Sequence, residues 1–121
     1  MIAPIFTVCF QDPALLSLLG SSPMRVYPFG EHYDNPVYPY VVWQNISGEP
    51  ANYMGERPDI DSFSIQVDVY ADTAISAMSV AKAVRDAIEG QAYITRWGTQ
   101  ERDSETRKYR YSFDIDWFVK R

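Results

Sequence analysis

The chain is 121 residues long, 46% hydrophobic and 22% charged, which suits one globular domain over residues 1–121 with a core needing no disulfide staple, and excludes a disordered chain. Its formal net charge is −5 and no basic cluster interrupts that acidity, so a protein that grips nucleic acid through its phosphates is set aside. Cys9 is the one cysteine, so no internal disulfide can form, and the opening "MIAPIFTVCF" has neither a basic leader nor the length to span a bilayer, so a cytoplasmic chain with no membrane role is expected.

In chain order, Ile2, Ile5, Phe6, Cys9 and Phe10 recur at helical spacing, with Pro4 tolerable in a first turn. Cys9, between Val8 and Phe10, reads as a buried, inert thiol. Asp12-Pro13 is a helix start signal, and "ALLSLLG" makes a short second helix closed by Gly20. Residues 25–29, "RVYPF", read as a short edge strand, because Pro28 cannot donate to a ladder. Residues 30–37 form a polar loop. Residues 38–47, "YPYVVWQNIS", read as a strand apolar on both faces, Tyr40 and Val42 against Val41 and Trp43, hence central or covered on each side.

A stretch of about fourteen residues follows, "GEPANYMGERPDID". A connection this long is functional or disordered, or is an extended hairpin arm. Residues 62–70 then alternate: Phe63, Ile65, Val67 and Val69 share one face, and Ser64, Gln66, Asp68 and Tyr70 the other. Asp72 is placed to cap the strongest helix, whose stripe is Ala74, Ala77, Met78, Ala81, Val84 and Ile88 and whose end is Gly90. Residues 92–97 read as a strand and "GTQERDSETR" as a polar connection. The basic stretch from Arg102 to Arg110 is interrupted by Asp103 and Glu105 and reads as a solvated loop of mixed sign. Residues 108–119 form the last strand, with Tyr109, Tyr111, Phe113, Ile115 and Trp117 alternating with Arg110, Ser112, Asp114 and Asp116. The sum is an α+β fold: a largely antiparallel or mixed sheet of four to five strands, helices packed on one face, and an extended loop or hairpin arm.

Candidate chemistry is sparse. Asp68, Asp114 and Asp116 fall on polar strand faces, where neighbouring strands could gather them to hold a hard cation or shift one another's pKa. The plainer reading is a solvated or partner-facing surface, since serine and glutamine lie between them. His32 is the one histidine and lies in a loop. No GxSxG elbow, phosphate loop, dinucleotide fingerprint, CxxC or HExxH occurs. Tyr53 and Met54 are apolar side chains in the middle of a polar segment, either a contact surface or a flap tucked on its own core. Arg57 joins them as a candidate partner-binding residue, because arginine is enriched at interface cores and pairs with carboxylates in a two-pronged way.

Taken in order, "DPALLSLLG", a short strand ending "VYP", "PYVVWQNIS", a long polar loop, "FSIQVDVYAD", "AMSVAKAVRDAIEG" and the ending "YRYSFDIDWFV" resemble the small tail-completion, or tail-terminator, proteins of long-tailed bacteriophages and their prophage relatives. The resemblance covers nearly the whole chain and rests on the succession, not on one motif; the middle loop departs from it. It implies a structural protein, not an enzyme, with no cofactor and no bound metal. Such proteins form a homo-oligomeric ring, usually a hexamer, at the head-proximal end of the tail tube. There they stop the tube protein from polymerising and offer a docking surface to the head–tail connector. The resemblance implies assembly in the bacterial host cytoplasm and a final place in the virion, with DNA passing through the lumen without specific binding. In such a ring Tyr53, Met54 and Arg57 are candidate partner contacts, and Asp68, Asp114 and Asp116 candidates for a lumen- or subunit-facing acidic face. Two other readings stand beside it: a neck or head–tail adaptor, and a small α+β enzyme or metal-binding domain using the three aspartates.

Overall fold

The computed structural model describes residues 4–20, 24–30, 37–50, 60–104 and 107–120. The chain runs through α1 (Ile5–Phe10), α2 (Pro13–Leu19), β1 (Val26–Pro28), β2 (Tyr40–Pro50), β3 (Ile60–Ala71), α3 (Ala74–Ile88), β4 (Ala92–Arg102) and β5 (Tyr109–Lys120). The strands form one mixed sheet in the order β1-β2-β3-β5-β4. Among the described strands the β1–β2 pair alone is parallel, with Val26 beside Val41. The architecture is the expected α+β.

Local chemistry explains the first elements. The Leu15 N–H donates to Asp12 Oδ1 at 3.1 Å, and Pro13 opens the helix with the φ it prefers. Gly20 ends α2 at φ +79°, where a side chain would be strained. On α1 Ile5 and Cys9 are fully buried, and Val8 packs partly against the core. Phe6 and Phe10, expected on the same apolar face, are 42% and 43% exposed and stack on each other with ring centroids 5.8 Å apart. A six-residue helix gives the core a single stripe, and i, i+4 pairs one position apart fall on different faces. Ile2 lies outside the described residues.

β1 is an edge strand, as its proline requires. β2 and β3 are antiparallel from Tyr40–Tyr70 to Pro50–Asp61, with a bulge between Asn45 and Ser47. The pairing continues into both shoulders of the segment read as a long loop, so the hairpin-arm alternative is the one that fits them. Tyr53, Met54 and Arg57 fall outside the described residues.

The cap of α3 corrects the sequence reading. Thr73, not Asp72, is the N-cap, its Oγ1 accepting from the Ser76 N–H at 3.1 Å. Asp72 instead pairs with Lys108. The threonine hydroxyl sits at the position from which a side chain reaches the third backbone N–H of the helix; the aspartate is one residue too early. The buried stripe is Ala77, Val80, Ala81, Val84 and Ile88, while Ala74 and Met78 are exposed. At 100° per residue, Ala74 and Met78 sit at the edge of the inward arc on the β4 side. That part of β4 carries Gln100 and Arg102, which do not close over them.

β4 is longer than expected. It continues through the polar stretch to Arg102, pairing Gln100, Glu101 and Arg102 with Tyr111, Arg110 and Tyr109. An edge strand loses nothing by being polar where its side chains meet water. Two irregularities in register, at Ile94–Arg96 and Trp97–Gln100, bend it. Gly98 lies inside the second, where a Cβ would stand 2.9 Å from the Ser112 carbonyl oxygen. Arg102 and Arg110 therefore belong to strands, and only the turn between them fits the loop reading.

The core lies between α3 and the sheet face of Ile65, Val67 and Val69 on β3 and Phe113, Ile115 and Trp117 on β5, all at most 1% exposed. Leu15, Leu19, Val26 and Val41 extend the same cluster under α1 and α2, both of which pack on α3. All three helices thus serve one face, and the alternating residues of β3 face as the sequence predicts.

Candidate functional site

The other face of the sheet carries no helix among the described residues. Register assigns its rows directly. Tyr40, Tyr70, Arg110 and Glu101 cross the sheet in one row, and Val42, Asp68 and Ser112 in the next. Gln44, Gln66, Asp114 and Arg96 form a third, and Ser64, Asp116 and Tyr93 continue beyond it.

Asp68, Asp114 and Asp116 all lie on this face, as their parity predicts, but none is opposite another. Across the β3–β5 ladder each faces a small or neutral side chain: Ser112, Gln66 and Ser64 respectively. Asp68 is 8% exposed. Its Oδ1 accepts from Ser112 Oγ and from Arg110 Nη2 at 3.2 Å, and Gln66 Nε2 donates to both oxygens at 3.2 and 3.3 Å. Asp116 accepts from Ser64 Oγ at 2.8 Å and Tyr93 OH at 3.5 Å. Asp114 meets Arg96 at 3.8 Å. Among the described residues no group of three or more histidine, cysteine, aspartate or glutamate side chains is placed to hold a metal ion. Asp68 and Asp116 are fixed as hydrogen-bond acceptors within the sheet and Asp114 sits in a loose ion pair, so the three are not pooled into one cluster.

Arg110 links this network to the sheet edge. Its Nη1 donates to Glu101 at 2.7 Å while Nη2 holds Asp68. Burial works against its charge, but the bond to Glu101 and the charge of Asp68 outweigh that, and its pKa is raised. Next to it stands a tyrosine stack: Tyr40 and Tyr70 are 4.9 Å apart and nearly parallel, and Tyr38 lies 5.2 Å from Tyr40. Burial raises the pKa of Tyr40 and of Tyr70, helped at Tyr40 by the neighbouring phenols and at Tyr70 by Asp68. The stack and Arg110 border an open cleft of 630 Å³ that Glu101 and Lys108 close on the β4–β5 side. Parity alone puts Arg110 on this face. Glu101 gives no such signal, because its segment does not alternate and reads as a connection.

The geometry therefore describes a polar, aromatic-ended sheet surface on which Arg110 pairs with Asp68 and Glu101 and Arg96 with Asp114, while Asp116 is held by neutral donors. The family is decided by sequence: the model of the family "Tail completion protein gp17" matches residues 3–120. The chain belongs to the tail completion protein gp17 family. Membership assigns it a structural role in phage tail completion. A search among curated proteins finds no match. Among the solved structures that share the fold of this tail completion family member are two from phage-like particles. One is a chain of the virion of a native gene transfer agent particle, 16% identical, with a TM-score of 0.68 over 97% of this chain and 92% of that one. The other is the gp17 protein of bacteriophage SPP1, 12% identical, with a TM-score of 0.54 over 96% and 88%. At such identities the likeness is one of fold. No helix among the described residues is long and apolar enough to cross a membrane.

Proposed function

We propose that this tail completion protein works as a ring of identical subunits, a hexamer, at the head-proximal end of a phage tail tube. The ring ends tube growth and presents a docking surface to the head–tail connector. Family membership and the fold shared with a virion chain support the role. The observation that carries the reading is the uncovered sheet face, whose carboxylates are held by serine, glutamine and arginine partners and are not convergent on a ligand. A face so organised suits a neighbouring subunit or a wet channel. Asp114 and Asp116, each only half-buried, contribute its acidity, which repels DNA passing through the lumen; Asp68 stands behind them as the anchor of Arg110. Tyr53, Met54 and Arg57, in the sequence between β2 and β3, are the proposed partner contacts. The subunit is made in the host cytoplasm and ends in the virion.

The test is to add the purified protein to polymerising tail-tube subunits and measure tube lengths by electron microscopy. Short tubes capped at one end by a ring are expected. Tubes of unchanged length with no terminal density would overturn the proposal.

A further inference from the structure

Among the exposed apolar side chains of the described residues, which also include Phe29, Val37 and Ile46, two groups gather into larger features. The first is a groove of 420 Å³ between α3 and β4, floored by Tyr111 and walled by Ile75, Met78 and Trp97. Ile75 is 78%, Met78 52% and Trp97 44% exposed. Lys82 and Arg85 rim it; Arg85 pairs with Asp86 and Glu89, while Lys82 makes no ion pair with a described residue. The second is the stacked Phe6–Phe10 ridge on α1, whose exposed surface carries no charged side chain of that helix. Asp12 follows it by two residues.

These features lie on opposite flanks of α3. Met78 and Lys82 turn toward the groove, whereas Ala83 and Ala87, on the other flank of the helix, are partly buried against the core where α1 and α2 pack. A groove on one flank and a ridge on the other cannot satisfy each other within one molecule. Copies related head to tail can satisfy both at once, each giving its ridge and receiving the next, and such a heterologous contact closes into a ring when the rotation permits. Charge favours the same partner. Two copies of an acidic chain repel, so a stable contact must set cations of one against anions of the other, and a ridge seated in the groove brings the Asp12 end toward the Lys82 rim.

We propose that the α3–β4 groove of one subunit receives the Phe6–Phe10 ridge of its neighbour, with Lys82 facing Asp12. This rests on the ring reading and specifies its contact. The test uses full-length protein with Cys9→Ala, so that introduced thiols are the only ones. Subunits carrying Phe10→Cys are mixed with subunits carrying Met78→Cys and oxidised under conditions where the unmodified protein assembles on tail tubes. Disulfide-linked pairs in the mixture but in neither variant alone, and covalent ladders from the double variant, are expected. Separately, Met78→Asp should raise the concentration for half-assembly at least tenfold, while Phe29→Asp, at a position 67% exposed elsewhere, leaves it unchanged. Rings that form without cross-links, and with Met78→Asp assembling at the normal concentration, would overturn this contact and leave the ring intact. An unmodified protein that stays monomeric even with tail tubes would overturn both.

Discussion

On the uncovered face, two aspartates of the same parity sit in different environments. Asp68 is 8% exposed and takes bonds from Ser112, Arg110 and Gln66; Asp114 meets an Arg96 whose side chain is 70% exposed. Removing Asp68 strands a half-buried guanidinium and a buried hydroxyl, and an unsatisfied buried group costs far more than a lost surface pair recovers. Arg110 is partly solvated and keeps Glu101, which discounts the penalty. We expect Asp68→Ala to lower stability by about 2 kcal/mol and Asp114→Ala by less than about 1 kcal/mol, read from urea midpoints. Equal losses at both positions would mean that the Arg110 network does not hold Asp68 as described. The parity of both residues is legible in the alternation of their strands. Their difference is not, because it depends on which side chains the neighbouring strand brings alongside.

At the scale of elements, a segment is legible where its signal is local, as in the Pro28 edge strand and the alternation of β3 and β5. β3 and β5 alternate because one face is buried, and the alternation names that face without any structure. The Asp12-Pro13 start of α2 is likewise written locally, in a capping oxygen and a preset φ. The far half of β4 gives no such signal: an edge strand with wet side chains needs no apolar alternation, so "GTQER" looks like a connection. What holds it is backbone pairing to β5, and Gly98 is the residue that permits that approach. A Cβ there would lie 2.9 Å from the Ser112 carbonyl oxygen, a backbone atom that can yield only if the strand moves. Gly98→Ala should therefore cost roughly 1–3 kcal/mol through forced displacement in a packed region and speed amide exchange at Gln100 to Arg102. Gly90→Ala, where a new Cβ meets nothing within 4 Å, should be neutral or stabilise by roughly 0.4–1 kcal/mol. Similar thermal shifts for the two variants would show that the close approach at Gly98 does not limit the strand.

Over the whole molecule, the groups whose pKa moves upward act on stability with one sign. Burial, reinforced by Asp12, pushes the Cys9 thiol from 9.0 up to about 12, and burial raises both Tyr40 and Tyr70 above their ordinary 10.0. In each case the folded chain keeps its proton at a pH where the unfolded chain has released it. The folded state then binds more protons, so stability falls as pH rises. The contribution is complete below pH 9, begins to fade there as the unfolded thiol ionises, fades further above 10 as the unfolded phenols follow, and for Cys9 is gone by about 12. Within its window each group costs about 1.4 kcal/mol per pH unit, and the new charges add to a chain already at −5. Urea midpoints measured from pH 8 to pH 10.5 should hold steady to about 9 and then decline. Cys9→Ala removes the earliest part of that fall, so its curve should stay flat to about 10, whatever its midpoint at pH 8. A wild-type midpoint that is level or rising across 9 to 10.5, or a Cys9→Ala curve parallel to it, would show that the thiol is not shielded beneath α1 as its burial requires.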